Sequence, residues 1–169
     1  MRFLHSTLLC LLLAPASLQG AGPSAADRSA IAVLDFELND LTLDPGNAAE
    51  RERTASIKPM LRDLLAAKNH NMVEVSAAAQ SAADRGAGYL FDHSDVAAAL
   101  GHTVGADWVI VGRVHKPSFL FVYLKAHVVN VHTGELAADL VVEVKGPQQA
   151  LTRRGAERLA EQIETAIVR

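Results

Sequence analysis

The histidines and the acidic residues near them are the side chains best suited to chemistry in this 169-residue chain. Imidazole and carboxylate groups are common ligands of transition metals. The densest group is the segment Asp92-His93-Ser94-Asp95, so Asp92, His93 and Asp95 are the candidate metal ligands. No HExxH motif and no helical pair of histidines four residues apart supports them. The same segment is equally typical of a loop that leads into a helix cap, and we therefore predict no metal site.

Hydrolytic and phosphate chemistry have weaker support. The chain lacks the G-x-S-x-G motif of a nucleophilic serine. Asp35 and Asp107 could face each other across a sheet end as an acid–base pair. The alternative, which we favour, is that each accepts backbone hydrogen bonds where a strand meets a loop. Gly86-Ala87-Gly88 has no following Lys-Ser or Lys-Thr and is not a phosphate loop. We predict no enzyme activity and no cofactor.

Charge gives little evidence for a nucleic-acid partner. Arg153, Arg154 and Arg158 form a basic patch near the end of the chain, but glutamates are interspersed among them, which indicates a solvated helix face. The formal net charge is −3, and the loss of Arg2 with a leader would make it −4. Nucleic-acid binding normally requires a basic surface, so we predict none.

The first 22 residues have the pattern of a signal peptide and leader. Arg2 precedes an apolar run over residues 8–13, and small residues follow. The run is shorter than the roughly 20 apolar residues that span a bilayer. We expect cleavage between residues 16 and 22, a periplasmic or secreted protein, and no transmembrane segment afterwards. Cys10, the only cysteine, lies inside the apolar run, where it does not fit a lipid-attachment site.

The segment from Gly105 to Gly146 organises the remaining chain, predicted as a single domain over residues 30–169. Three β-branched runs, residues 108–114, 119–131 and 136–145, are separated by turn residues and predict an antiparallel meander. Residues 30–36 are continuously apolar and predict a central strand. Residues 37–47 are predicted to be a loop.

Helical patterns lie over residues 48–68, 95–103 and the C-terminus. A short alanine-rich helix is predicted after Ser76, and Ser76 and Ser94 are the predicted N-caps. Gly155 lies on the apolar stripe of the last helix, which indicates close packing against the sheet. We predict an α/β (α+β) two-layer sandwich, with a mixed sheet and helices mainly on one face.

The second run of the meander does not alternate between apolar and polar residues. With a two-residue turn at Thr133-Gly134, residues 119, 121, 123, 125 and 127 would share a face with residues 136, 138, 140 and 142. Helices on one side would leave an apolar face open, which usually marks an interface. Leu120, Val122 and Leu124 are the interface candidates. The alternative is that a bulge rotates these side chains or that they belong to the core.

Several motifs together resemble a known family. The segments IAVLDF, ALGHTVGADWVIVGRV and VVNVHTGEL are similar to the domain shared by TolB N-terminal regions and CsgG. The segments HKPSFLFVYL and LTRRGAERLAEQI resemble small secreted bacterial proteins of unknown function that carry this domain alone. The resemblance implies an α/β domain with assembly or scaffolding roles in the cell envelope, and no shared catalytic residues.

The sequence therefore predicts an exported, non-enzymatic accessory or scaffolding protein of the bacterial cell envelope. Its expected partner is an envelope protein or a second copy of itself. The alternatives are a periplasmic protein that binds a metal or a small molecule, and a metal-dependent hydrolase centred on Asp92, His93 and Asp95.

Overall fold

The computed structural model describes residues 28–146 and 149–168, and the predicted leader with its cleavage site lies outside them. Within the described residues, the first strand begins at Ala30. The elements in chain order are β1 (Ala30–Val33), β2 (Glu37–Asp40), α1 (Ala48–Ala55), α2 (Ile57–Ala66), β3 (Asn71–Val73), α3 (Ala77–Ala83), α4 (Tyr89–Asp92), α5 (Ser94–Thr103), β4 (Trp108–Lys116), β5 (Phe121–Asn130), β6 (Leu136–Lys145) and α6 (Gln149–Ile167).

The six strands of the described residues form one mixed sheet, in which five have the order β3-β1-β4-β5-β6 and β2 pairs with β4 beside this path. β1 pairs in parallel with β3 on one side and β4 on the other, while β4, β5 and β6 form the antiparallel meander. After a short break, β2 pairs with the second half of β4, also in parallel. The predicted mixed sheet and C-terminal meander are confirmed. Residues 37–47 were predicted as one loop, but the first four of them form β2.

The sheet has two faces, with the longer helices α2 and α6 on the first and the small helices α3, α4 and α5 on the second. On the first face, α2 and α6 pack on Ile110, Leu124 and Val142. On the second face, α3, α4 and α5 pack on Val109 and Val111 and on neighbouring residues of β1 and β5. The alanine-rich helices of the second face are small and cover only its β1–β4 side. Tyr123, Lys125 and Val141, farther across this face, stay partly or largely exposed.

The register of the β5–β6 hairpin differs from the predicted one by one residue. Asn130 bonds to Glu135 across a turn longer than two residues, and the ladder shifts between Val128 and Val129. Phe121, Tyr123, Lys125 and His127 consequently lie opposite Lys145, Glu143, Val141 and Asp139. The side chains of β5 therefore alternate between the two faces. Aliphatic side chains pack against α6 on the first face, and aromatic and polar side chains lie on the second face.

Helix α6 packs closely on the first face because Gly155 has no side chain. A Cβ atom there would lie 2.5 Å from Val144 Cγ2 and 3.0 Å from Leu124 Cδ1, closer than ordinary contacts. The predicted close approach of this glycine to the sheet is confirmed. Within residues 28–146 and 149–168, no helix is both long and apolar enough to cross a membrane.

Candidate functional site

Two loops at the same edge of the sheet expose large apolar side chains. Loop 41–46 follows β2, and loop 117–120 joins β4 to β5; the carboxyl ends of β2 and β4 lie side by side at Asp40 and Lys116. We call the exposed apolar residues of this end the apolar tip: Leu41 (62% exposed), Leu43 (97%), Phe119 (59%), Leu120 (70%) and Phe121 (37%). Several large apolar side chains exposed together are unusual on a protein surface and usually mark an interface.

The first loop is held by the carboxylate of Asp40. One Asp40 oxygen accepts from the Thr42 hydroxyl at 2.7 Å and from the Thr42 backbone N–H at 3.1 Å. The other oxygen accepts from the Gly46 N–H at 3.1 Å. Leu41 donates its backbone N–H to Lys116 O at 2.9 Å, which ties the start of the loop to β4. The loop is therefore fixed at both ends, and the side chain of Leu43 points to solvent.

The second loop is held in a similar way by Ser118. The Ser118 hydroxyl oxygen accepts from the backbone N–H groups of Leu120 and Phe121 at 3.3 and 3.2 Å. The carbonyl of Leu120 accepts from the N–H of Gly146, just beyond β6. Because its polar backbone groups are satisfied locally, the loop can present Phe119 and Leu120 to solvent in a defined conformation.

A buried ion network lies beneath the two loops. The Lys116 ammonium is 3.0 Å from Glu50 Oε1 and 3.5 Å from Asp40 Oδ2, and all three side chains are almost fully buried. Arg53 lies 3.6 Å from Glu50 Oε2 and donates to Thr152 Oγ1 at 2.8 Å, so α1 is joined to α6. Buried charges persist only when paired, and this network therefore fixes β2, β4, α1 and α6 relative to one another.

The protonation of the network follows from its geometry. Burial alone would raise the pKa of Asp40, but the hydrogen bonds from Thr42 and Gly46 and the charge of Lys116 outweigh it. The pKa of Asp40 consequently lies below its ordinary value. Burial lowers the pKa of Arg53, with Glu50 opposing the shift. Asp40 is thus an acceptor for the loop at neutral pH.

Aromatic rings of the apolar tip lie close to lysine ammonium groups. Lys116 Nζ is 5.3 Å from the centroid of the Phe119 ring, and Lys145 Nζ is 6.0 Å from that of Phe121. These are cation–π distances, each contributing about 0.5–1 kcal/mol at an exposed site. The contact from Lys116 connects the buried network directly to the exposed ring.

The interface candidates Leu120, Val122 and Leu124 do not form one exposed stripe. Val122 and Leu124 are 2% and 0% exposed in the core of the first face, so their prediction as interface residues is wrong. Leu120 lies before β5 begins and belongs to the apolar tip. Helix α6 covers the side of β5 that was expected to be open, and the sequence did not show which side this helix would choose.

The metal candidates Asp92, His93 and Asp95 do not converge. His93 Nδ1 lies 2.9 Å from the carbonyl of Tyr89, and its imidazole stacks on the Tyr89 ring. No group of three or more His, Cys, Asp or Glu side chains in the described residues is arranged to hold a metal ion. Ser94, predicted as a helix cap, instead donates to the carbonyl of Gly134 at 3.0 Å.

The carboxylates of Asp35 and Asp107 lie at opposite ends of the sheet, because β1 and β4 are parallel. Asp107 accepts from the Ala30 N–H at 2.7 Å, and Asp35 pairs with Lys58 at 3.1 Å. The acid–base pair is therefore excluded, and Asp107 has the backbone role that the sequence favoured.

A second group of polar and aromatic side chains lies on the second face. The rings of His127 and Phe91 stack at 3.6 Å between centroids, and Arg113 lies 4.3 Å from the Phe91 centroid. His127 Nδ1 is 2.9 Å from the Phe91 carbonyl, and its Nε2 is 3.5 Å from Asp139. Burial lowers the pKa of His127, partly opposed by Asp139. The arrangement joins α4 to the meander as a structural contact.

Sequence reasoning missed Leu41, Leu43 and the charged residues beneath them. Leu43 has a detectable signal, a leucine beside the turn sequence Asp44-Pro45-Gly46. The Lys116 network had no such signal, because Lys116 is distant in the chain from both Asp40 and Glu50, and each residue alone is typical of a surface position.

Comparison with solved structures identifies proteins of the same fold. A PelC dodecamer from Paraburkholderia phytofirmans has a TM-score of 0.56 at 13% identity, covering 86% of this chain and 94% of that one. The hypothetical protein CT253 from Chlamydia trachomatis has a TM-score of 0.56 at 10% identity, covering 83% and 99%. TolB from Acinetobacter baumannii has a TM-score of 0.51 at 13% identity, covering 83% of this chain but 28% of TolB.

The TolB match supports that part of the resemblance inferred from the sequence, at the level of fold. No curated protein matches the sequence. Residues 29–163 match the model of the family DUF3280, which is described as "Protein of unknown function (DUF2380)". Because the match includes most of the chain, the chain belongs to this family of proteins of unknown function.

Proposed function

We propose that this protein is an exported, non-enzymatic accessory or scaffolding protein of the bacterial cell envelope that binds a partner protein through the apolar tip. The observation that carries the proposal is the exposure of Leu41, Leu43, Phe119, Leu120 and Phe121 on two fixed loops. Exposed apolar side chains reduce solubility unless a partner covers them.

The way the tip is built supports the proposal. Interfaces are enriched in aromatic residues at a desolvated centre, surrounded by polar residues. Phe119 and Leu120 supply such a centre, Ser118 and Lys145 lie around it, and Lys116 lies buried beneath it. Because the loops are fixed by Asp40, Ser118 and the Lys116 network, little conformational entropy is lost on binding. An apolar surface whose conformation is fixed by a buried ion network is well suited to bind another protein.

The envelope location rests on the leader pattern and the fold. The sequence predicts a signal peptide cleaved between residues 16 and 22, and the intact mass of the exported protein tests this directly. A mass that retains the first sixteen residues, or carries a lipid, would contradict export in this form. The dodecameric PelC shares the fold, so assembly on this scaffold is physically possible, but its low identity transfers no interface.

Site-specific photo-crosslinking in cells tests the partner directly. A benzoylphenylalanine placed at Leu120 should give a discrete crosslinked product with an envelope protein. The same probe at Gln162, an exposed position on α6, is the matched control and should give none. The product at Leu120 should disappear when Leu43 is replaced by Ser. Equal labelling at both positions, or none at Leu120, would reject the tip as the binding surface.

Among the described residues, no cluster of ligands favours the alternative of a bound metal. Asp92, His93 and Asp95 are not brought together, and each side chain is exposed or bonded locally. We therefore offer the protein-binding function alone.

A further inference from the structure

The outer edge of β6 is a long strand edge with no partner among the described residues. β6 has ten residues and pairs only with β5 within residues 28–146 and 149–168. The opposite edge of the sheet, β3, has three residues and is protected by its shortness. Proteins usually protect long edges, because a row of free N–H and C=O groups can pair with another strand.

The hydrogen bonds identify which β6 residues present free backbone groups. Gly146 N–H donates to Leu120 O, and these two residues flank the pair Phe121–Lys145. In an antiparallel ladder this pattern marks a pair whose own N–H and C=O groups point away from each other. Alternation along the ladder then directs the backbone groups of four residues outward: Asp139, Val141, Glu143 and Lys145.

We propose that two copies of this protein associate through antiparallel pairing of their β6 edges, about a two-fold axis at Val142. Only registers that place outward residues opposite one another can form the ladder. With the axis at Val142, Asp139 lies opposite Lys145 of the second copy, and this pair occurs twice by symmetry. Opposite charges facing across strands stabilise a ladder, and like charges destabilise it.

The neighbouring registers are less favourable. An axis at Val141 would place Asp139 opposite Glu143 of the second copy, a like-charged pair that occurs twice. An axis at Leu140 would leave Asp139 opposite Val141. An axis at Glu143 would place Glu143 opposite its own copy. An axis at Val144 would pair Glu143 with Lys145, but it would use only two of the four outward residues of each copy. Charge and ladder length together therefore select the Val142 axis.

The apolar side of β6 fits the same register. A groove of about 360 Å³ lies between the end of β6 and α6, lined by Val144, Leu151, Arg154 and Arg158 among others. With the axis at Val142, Leu140 of the second copy lies opposite Val144, beside this groove. Leu140 is only partly buried in one copy, and the pairing would cover it against Leu151. The five residues of the apolar tip lie outside the β6 edge. Lys145 is common to both surfaces, because its ammonium lies 6.0 Å from the centroid of the Phe121 ring, so a change at Asp139 is the one that tests the dimer apart from the tip.

Disulfide trapping tests the register. Single-cysteine chains are made in a Cys10→Ser background, since Cys10 is the only natural cysteine. Mixing the Asp139→Cys chain with the Lys145→Cys chain should give a covalent dimer under mild oxidation, and each chain alone should not. Mixing Asp139→Cys with Glu143→Cys is the control for the Val141 axis. A dimer only in this control, or equal trapping in all mixtures, would overturn the proposed register.

Charge exchange tests the association without cysteines. Sedimentation should show a dimer for the natural sequence, while Asp139→Lys or Lys145→Asp should each raise its dissociation constant about tenfold or more. The double variant carrying both changes should restore the dimer, because the charges again face their opposites. Both residues are exposed, so folding should be unaffected. A natural protein that stays monomeric at high concentration, or single variants with unchanged association, would overturn the proposal.

Discussion

Leu120 and Val122 are two residues apart, both aliphatic, and the sequence placed them on the same surface. Leu120 is 70% exposed at the apolar tip, and Val122 is 2% exposed beneath α6. The difference arises because β5 begins at Phe121: Leu120 belongs to the preceding loop, whose conformation Ser118 fixes, whereas Val122 lies in the strand that α6 covers. The hydrophobicity of a residue alone does not show whether it belongs to the core or to an interface. Its location relative to the start of β5 and to the face that α6 covers determines whether it is buried.

The largest expected effect is on this pair of residues. Val122→Glu should prevent folding or cost about 4 kcal/mol or more, because it buries a charge without a partner. Leu120→Glu should change the free energy of unfolding by about 0.5 kcal/mol or less, as for other surface changes. Chemical denaturation of the two variants measures both values. Similar losses in both variants would show that Leu120 is a core residue.

The next largest effect is expected for the buried ion network of Lys116, Asp40 and Glu50 beneath the apolar tip. Lys116→Met removes the cation between Asp40 and Glu50 and should cost about 3 kcal/mol, because two buried carboxylates lose their partner. Lys68→Met, at an exposed position after α2, is the matched control and should be nearly neutral. Thermal unfolding of both variants provides the comparison. An unchanged Lys116→Met protein would mean that the network does not hold the loops.

A smaller effect is expected where α6 meets the core side of β5. Gly155→Ala places a methyl group 2.5 Å from Val144 Cγ2, on a β-branched side chain that cannot easily move away. Overpacking should cost about 1–2 kcal/mol, despite the gain in helix propensity. Denaturant unfolding measures the difference, with Gln162→Ala as a control on the exposed side of the same helix. A stabilised Gly155→Ala protein would contradict the close packing.

The smallest effect is expected on the pH dependence of the unfolding free energy, through His127 on the second face. Burial lowers the pKa of His127 in the folded protein below its ordinary value of 6.5. The unfolded chain therefore binds the proton more readily, and stability should be full above pH 6.5 and decrease as the pH falls through that value. His127→Gln should flatten the dependence of the unfolding free energy on pH between about pH 7.5 and 5.5. An unchanged slope in His127→Gln would assign the pH dependence to other groups.

The features predictable from sequence were those encoded by local patterns. The apolar runs located β1 and the meander, Ser76 was correctly identified as the cap of α3, and Gly155 was correctly placed against the sheet. Features that depend on distant contacts were missed. The hairpin register followed from a longer turn and a shift at Val128, and the side of β5 that α6 covers followed from packing rather than from any local pattern.

The site was harder to predict than the fold for a related reason. Asp92, His93 and Asp95 are close in sequence, yet helix α4 and the stacking of His93 on Tyr89 keep them from forming a site. The residues that build the apolar tip come from two loops about 75 positions apart, brought together only by the parallel pairing of β2 with β4. The sequence contained the exposed leucines and phenylalanines but not their proximity.

The measurement that tests the central claim most directly is crosslinking from two positions, one just before the start of β5 and one within it. A photo-reactive residue at Leu120 should capture an envelope protein in cells, while the same residue at Lys125, on β5 itself, should not. Capture at Leu120 that disappears with Leu43→Ser, in a protein whose unfolding is unchanged, is the result expected of a docking surface at the apolar tip. Capture at Lys125 alone, or capture at Leu120 that persists in the Leu43→Ser protein, would contradict it.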